Sequence, residues 1–219
     1  MDLLEAIYTT RAMRRLKPDP VPDDVLQRCF DAAVRGPSGG NQETFRFLTV
    51  TDPDTKAKIG PLYRDALDEL NATQYADVQA RISEGSDDPA VQTSMRIDKS
   101  ARWFAAHVED MPILLFVFGK ERGETTTFPV LWNFCLAARA EGLGTAITTL
   151  LKLRKAETEA ALGVPDDGRW HMHGMVPVGY PMGKWGLAKR SPAHEAVFSE
   201  RWGQPVDWEV PEPLWAPPY

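Results

Sequence analysis

Arg35-Gly-Pro-Ser-Gly-Gly-Asn-Gln-Glu43, with the apolar run Phe45 to Val50 just after it, decides how this chain folds. Upstream, Val25, Leu26, Cys29, Phe30, Ala33 and Val34 recur at the spacing of one helical face, and Gly36-Pro37 closes that helix. Downstream, Phe45 to Val50 reads as a buried strand. The connection between them holds a proline, three glycines, a hydroxyl and an amide. It is either a plain turn made of turn residues or a backbone shaped to lie against a flat ligand. In the second reading Gly39 and Gly40 permit close approach and positive φ, Pro37 stiffens the entry, and Asn41 both donates and accepts.

Working outward, residues 2–9 form a short helix. Pro18, Pro20 and Pro22 force an extended passage, after which Asp23 or Asp24 caps the next helix. Residues 54–83 are helical and increasingly polar, Glu84-Gly-Ser-Asp-Asp-Pro89 is a break, and 90–108 is helical again. Pro112-Ile-Leu-Leu-Phe-Val-Phe118 has the near-continuous apolar character of a central strand covered on both faces. Val130, Leu131, Phe134, Cys135 and Ala138 mark a buried helix that Gly142 and Gly144 terminate. A short strand over Thr145–Leu150, a helix over 154–162 and a last strand over His171–Val178 follow. The element order predicts an α+β or α/β layer with helices covering a four- or five-stranded sheet. A tail with Trp202, Trp208, Trp215 and five prolines after residue 204 is extended and packs on its own or a partner subunit's surface. The domain reading is therefore 1–198, with a tail over 199–219.

Bulk composition narrows the function. The 219 residues are 43% hydrophobic with a net charge of −6, which supports one full core and argues against nucleic acid as a partner. No apolar run reaches the roughly 18 residues of a membrane span, and the first residues lack the order of a signal peptide. Cys29 and Cys135 both fall on apolar helical faces, as buried thiols of a cytoplasmic protein do. His171 and His173 alternate on one strand without a third ligand nearby, so no metal centre is expected. His107 sits at a helix end, where it meets free carbonyls. Ser38 lacks the context of a hydrolase nucleophile. Met13, Trp103, Phe104 and Trp132 read as core.

Arg11, Arg14, Arg15 and Lys17 place four cations in seven residues of an acidic protein. They form a solvated turn or a phosphate site, since arginine's planar fork matches phosphate. Lys184 and Lys189-Arg190 form a second basic stretch. Neither a G-x-G-x-x-G fingerprint nor a phosphate loop is present, so any phosphate is held by arginines.

Three stretches resemble the FMN-dependent nitroreductase superfamily. Thr9-Thr-Arg-Ala-Met-Arg-Arg-Leu16, followed by Pro20-Val-Pro22, resembles its Arg-Arg-Ser-x-Arg opening. Gly36-Pro-Ser-Gly-Gly-Asn-Gln-Glu-Thr-Phe45 resembles its Ala-Pro-Ser-x-x-Asn-x-Gln-Pro-Trp loop. Gly142-Leu-Gly-Thr-Ala-Ile-Thr-Thr149, with Val178-Gly-Tyr-Pro181 and Lys189-Arg190 downstream, resembles the third. The resemblance covers about residues 1–195. It departs at Thr10 and Ala12, where the family has arginine and serine, and at Glu43-Thr44-Phe45.

The resemblance implies a three-layer α+β fold, a central mixed or antiparallel sheet flanked by helices, and an intertwined homodimer with FMN at the interface. Carried over, Arg11 and Arg14 bind the phosphate with backbone from Ala12, Arg15 compensates for Thr10, and Lys189 and Arg190 complete the site. Pro37, Ser38, Gly39 and Asn41 line the flavin of the partner subunit's cofactor. Thr148 and Thr149 present backbone N–H groups to the reactive nitrogen. The flavin itself carries the chemistry, with no catalytic side chain. NADH or NADPH donates hydride, which passes to a nitroaromatic, quinone or related small electrophile. Other implied reactions are reductive dehalogenation and ring dehydrogenation; a flavin-binding or storage protein without turnover is the non-enzymatic alternative.

Overall fold

A computed structural model describes residues 1–85 and 87–216. Ser86, inside the expected break, and the last three residues of the tail lie outside the described residues. The chain divides into two compact units, 12–184 and 1–11 with 185–216.

The larger unit is built on a sheet of order β1-β2-β4-β3, comprising β1 (Phe45–Val50), β2 (Ile113–Gly119), β3 (Gly144–Thr145) and β4 (His171–Gly179). Among the described residues every strand pair is antiparallel, and one isolated parallel bridge joins Ala12 to Thr145. All seven residues of β2 are buried, as its unbroken apolar run requires of a central strand. Ile113, Leu115 and Val117 share one cluster with Cys29 and Ala33, and with Leu131, Phe134 and Cys135. Leu114 and Phe116, on the opposite face by the period of two, are equally buried, so the sheet is covered on both sides. The architecture is the α+β one expected.

The smaller unit carries the first helix, α1 (Leu3–Thr9), whose N-cap Asp2 accepts from Glu5 N–H at 2.7 Å. Tyr8 packs against Trp215 with ring centroids 5.5 Å apart, and Ala188 N–H bonds Tyr8 O at 3.2 Å. Trp202 is 93% exposed, touching Phe198 edge-on.

In the larger unit the helix α2 (Asp23–Ala33) begins at Asp23 itself, too early for either aspartate to cap it. Pro22 is its N-cap, and Asp23 and Asp24 instead put negative charge in the first turn, where the helix dipole favours it. Phe30 of α2 meets Phe47 and Phe134 at 5.3 and 4.9 Å. Both cysteines are buried and unpaired, and burial pushes both thiols up to about 11.

Three expectations are corrected. The long helix over 54–83 is two helices, α3 (Pro53–Ala72) and α4 (Ala76–Glu84), separated at Thr73–Tyr75. Thr73 leaves helical geometry at φ −113° and ψ −85° with neither proline nor glycine to signal it. After α5 (Pro89–Ala106) and α6 (Glu124–Ala140), the strand expected over Thr145–Leu150 shrinks to β3. Beyond β3 the chain bridges to β4 at Thr148 and Met175, then winds into a 3₁₀ turn, Leu150–Arg154, ahead of α7 (Lys155–Ala161). Trp132 is 41% exposed on α6 and so is not core.

His171 and His173 both lie on β4, where the pairing with β2 is irregular. The register slips opposite Val117 and Phe118, which pair with Gly174 and Met172, so His173 is the bulged residue. Its ring meets Thr127 Oγ1 at 2.7 Å, while His171 Nδ1 lies 2.8 Å from Lys155 Nζ. His107 closes α5, its Nδ1 2.7 Å from Trp103 O.

Candidate functional site

The segment Ala12–Lys17 is stitched into the larger unit from both sides. Met13 N–H donates to Thr145 O at 2.8 Å, Lys17 N–H to Tyr180 O at 2.8 Å, and Met182 N–H to Arg15 O at 3.0 Å. Met13 and Leu16 point inward and are buried, leaving Arg14 half-buried between them. Gly144 makes this approach possible, because a Cβ there would stand 2.9 Å from Met13 Cβ and from Leu16 Cδ2.

Arg14 lines a cleft of about 640 Å³. Thr148 and Thr149 line it too, so three of the sequence-derived site residues meet in one place. Among the described residues no carboxylate pairs with Arg14, which leaves its guanidinium donors for an anion. Arg15 points elsewhere, its guanidinium 5.7 Å from the Trp103 ring centroid in a cation–π contact.

The two threonines differ. Thr148 N–H donates to Met175 O and Thr148 O accepts from Met175 N–H, each at 2.9 Å, so its backbone is spent on β4. That leaves Thr149, which is exposed, as the one of the pair whose N–H meets no acceptor among the described residues. The Thr148 side chain lies 3.2 Å from Tyr63 Oη and accepts Leu150 N–H at 3.3 Å. Burial pushes the Tyr63 phenol up, against the pull of Thr148 and the Arg14 charge.

Much of the rest of the cleft comes from α3, α4 and α5, through Tyr63, Leu67, Asn71, Val78, Gln79 and Asp98 among others. Sequence reasoning found none of these. They belong to no motif and become neighbours only through helix packing.

The glycine-rich loop sits on α6. A Cβ on Gly36 would stand 2.8 Å from Val130 Cγ1 and 3.0 Å from Val130 backbone atoms, so this glycine serves a close approach within the chain. Gly39 N–H reaches Thr126 Oγ1 at 3.3 Å, Asn41 N–H bonds Ser38 O at 3.0 Å, and Glu43 N–H bonds Ser38 Oγ at 3.1 Å. Positive φ falls at Gly40 (59°), Asn41 (52°) and Glu43 (50°) but not at Gly39. Pro37, Gly39 and Asn41 are exposed, Ser38 is half-buried, and none of the four lines the cleft that holds Arg14.

Arg11, Lys189 and Arg190 belong to the smaller unit, where all three are exposed and Arg190 Nη1 bonds Lys189 O at 2.8 Å. Ala12, also exposed, contributes backbone to the bridge with Thr145.

Known proteins resemble this chain in sequence and in fold. The iodotyrosine deiodinase of Thermotoga neapolitana is 27% identical over 174 residues, 78% of this chain and 84% of its own. The NADH dehydrogenase of Thermus thermophilus is 27% identical over 208 residues, 90% of this chain and 96% of its own. The crystal structure of an iodotyrosine deiodinase bound to FMN and 3-iodo-L-tyrosine shares the fold with a TM-score of 0.67, at 22% identity over 86% of this chain and 95% of that one. The sequence profile described as Nitroreductase family matches residues 7–180, a span that takes in the Arg14 segment, the glycine-rich loop and the Thr148 turn, and the chain belongs to that family.

Proposed function

We propose that the protein binds FMN in the Arg14 cleft and passes hydride from NADH or NADPH to a nitroaromatic, a quinone or a related small electrophile. The observation that carries this reading is the meeting of a carboxylate-free, half-buried guanidinium with an unused Thr149 N–H on the wall of one cleft. The cleft's size of about 640 Å³ is in the range of cofactor sites, and the residues present fit the group. Bound FMN supplies the two-electron chemistry.

The chain's own residues hold and orient. Arg14 offers paired donors to the phosphate. Thr149 N–H is a fixed dipole for a ring heteroatom that gains electron density, and needs no reorganisation when it does so. Tyr63, Leu67 and Leu70 keep the adjoining wall apolar and limit water. Pro37, Ser38, Gly39 and Asn41 are outside this cleft and serve the site of a second copy in a homodimer. Donor and acceptor use the same cleft in turn, so steady-state kinetics follow a ping-pong pattern.

The test is colour and its loss. The purified chain is yellow or becomes so with FMN, bleaches with NADH or NADPH in the absence of oxygen, and regains colour with a nitroarene or quinone. A chain that takes up no FMN refutes the reading. One that stays yellow with both nicotinamides is a flavin-binding protein without turnover. The iodotyrosine deiodinase relative supports a second reading, reductive dehalogenation, which iodide release from a reduced sample given iodotyrosine would reveal.

A further inference from the structure

Three helices meet in one side-chain network beside the cleft. Arg102 of α5 donates from Nε to Asp98 Oδ2 at 2.8 Å and from Nη2 to Gln79 Oε1 at 3.1 Å. Gln79 of α4 donates from Nε2 to Asp98 Oδ1 at 2.9 Å and to Asn71 Oδ1, on α3, at 3.2 Å. The amide orientations follow from chemistry alone. A guanidinium only donates, so Gln79 turns its oxygen to Arg102; a carboxylate only accepts, so Gln79 turns its nitrogen to Asp98. That same nitrogen faces Asn71, which must answer with its oxygen. The Asn71 NH2 group is thereby left out of the network, and it cannot be brought in by flipping the amide.

Asn71 is 9% exposed and lines the cleft. Its Nδ2 is buried and meets no acceptor among the described residues. Such a donor is costly to leave unmade, and folded proteins keep few of them without a use. Leu67, Leu70 and Ile97 give the cleft wall its apolar part, while Gln74, Ser94 and Asp98 line it as well. A hydrogen-bonding group set among apolar side chains is how a pocket fixes the orientation of a small ligand.

We propose that Asn71 Nδ2 is the group that recognises the electron acceptor, selecting small molecules that carry a carbonyl or nitro oxygen. The ligand's service as an electron acceptor rests on the function proposed above; its recognition by Asn71 does not.

Acetophenone and ethylbenzene are close in shape and differ in this one oxygen. Each is titrated calorimetrically into the FMN-saturated protein with no nicotinamide present. The wild type binds acetophenone about five- to tenfold more tightly, as one hydrogen bond predicts. Asn71→Asp keeps the oxygen that Gln79 needs and removes the NH2 group, and the preference disappears; Asn71→Leu removes both and loses it too. Equal affinities in the wild type, no binding of either compound, or a preference that survives in both variants overturns the proposal. Should neither variant fold, the side-chain amide signal of Asn71 in a ¹⁵N spectrum of the wild type decides. It moves with acetophenone and not with ethylbenzene, and a signal unmoved by both is the contrary result. Failure to take up FMN is a separate outcome against the flavin reading, and the titration is then run on the protein as purified.

Discussion

Tyr63 Oη stands 3.2 Å from Thr148 Oγ1, tying α3 to the turn that carries two of the site residues. The ring is held independently, edge-on to Phe104 at 5.0 Å. Tyr63→Phe therefore keeps its packing and loses only the hydroxyl contact, at about 1 kcal/mol in a urea denaturation. Thr148→Val acts on the phenol itself. Burial already pushes that group up and the Thr148 hydrogen bond opposes this, so ultraviolet titration of the variant finds one tyrosine ionising at still higher pH than in the wild type. An unmoved titration would separate the two hydroxyls.

Arg14 has no carboxylate partner among the described residues, so its removal strands no buried acid. Arg14→Ala leaves thermal stability within about 0.5 kcal/mol of the wild type. It weakens FMN retention about 10- to 100-fold, the worth of a charged hydrogen-bonded contact. The flavin-to-protein absorbance ratio after dialysis measures this, and an unchanged ratio would remove the phosphate from Arg14.

Two glycines of the same loop give opposite outcomes. Gly36→Ala drives a Cβ into Val130, including its backbone at 3.0 Å, and costs about 1–3 kcal/mol. At Gly39 the nearest atom to an added Cβ is Thr126 Oγ1 at 3.9 Å, and the φ angle is ordinary. Gly39→Val thus folds with wild-type stability. If it also loses flavin turnover, whatever crowds it lies outside its own chain, as a site shared between two copies requires. Unchanged turnover makes the loop a connector.

His173 gives the fold a dependence on pH. Burial holds its imidazole below the ordinary 6.5, with Glu124 pulling the other way. The unfolded chain therefore takes up this proton at higher pH than the folded one. The stabilisation is complete above about 6.5 and is lost as pH falls from there toward the lowered folded value. Denaturation midpoints at pH 7.5, 6.5 and 5.5 show the decline, and His173→Gln flattens it. Glu141, held low by Arg28, and Asp52, held low by Thr55, act in a separate window below about 4.5.

The strands were legible because burial writes itself into composition. Phe45–Val50 appears where the apolar run is, Ile113–Gly119 is shifted by one residue at each end, and His171–Gly179 runs one residue further than expected. The division of α3 from α4 was not legible, since Thr73-Gln-Tyr75 carries no breaker residue. Thr145–Leu150 has β-branched residues but spends them on a turn, where tertiary hydrogen bonds to Met175 override propensity. Within the cleft, Arg14, Thr148 and Thr149 were found because they sit in contiguous motifs. Tyr63, Asn71, Gln79 and Asp98 come from three helices, and nothing local marks them.

The stitching of Ala12–Lys17 also restricts how the sequence can drift. Charges at the exposed positions 15 and 17 can be exchanged cheaply. Adding or deleting a single residue between the two anchor points cannot be absorbed, because the guanidinium and the neighbouring apolar side chains would trade places all at once, and a cation would be driven into space that Leu16 now fills.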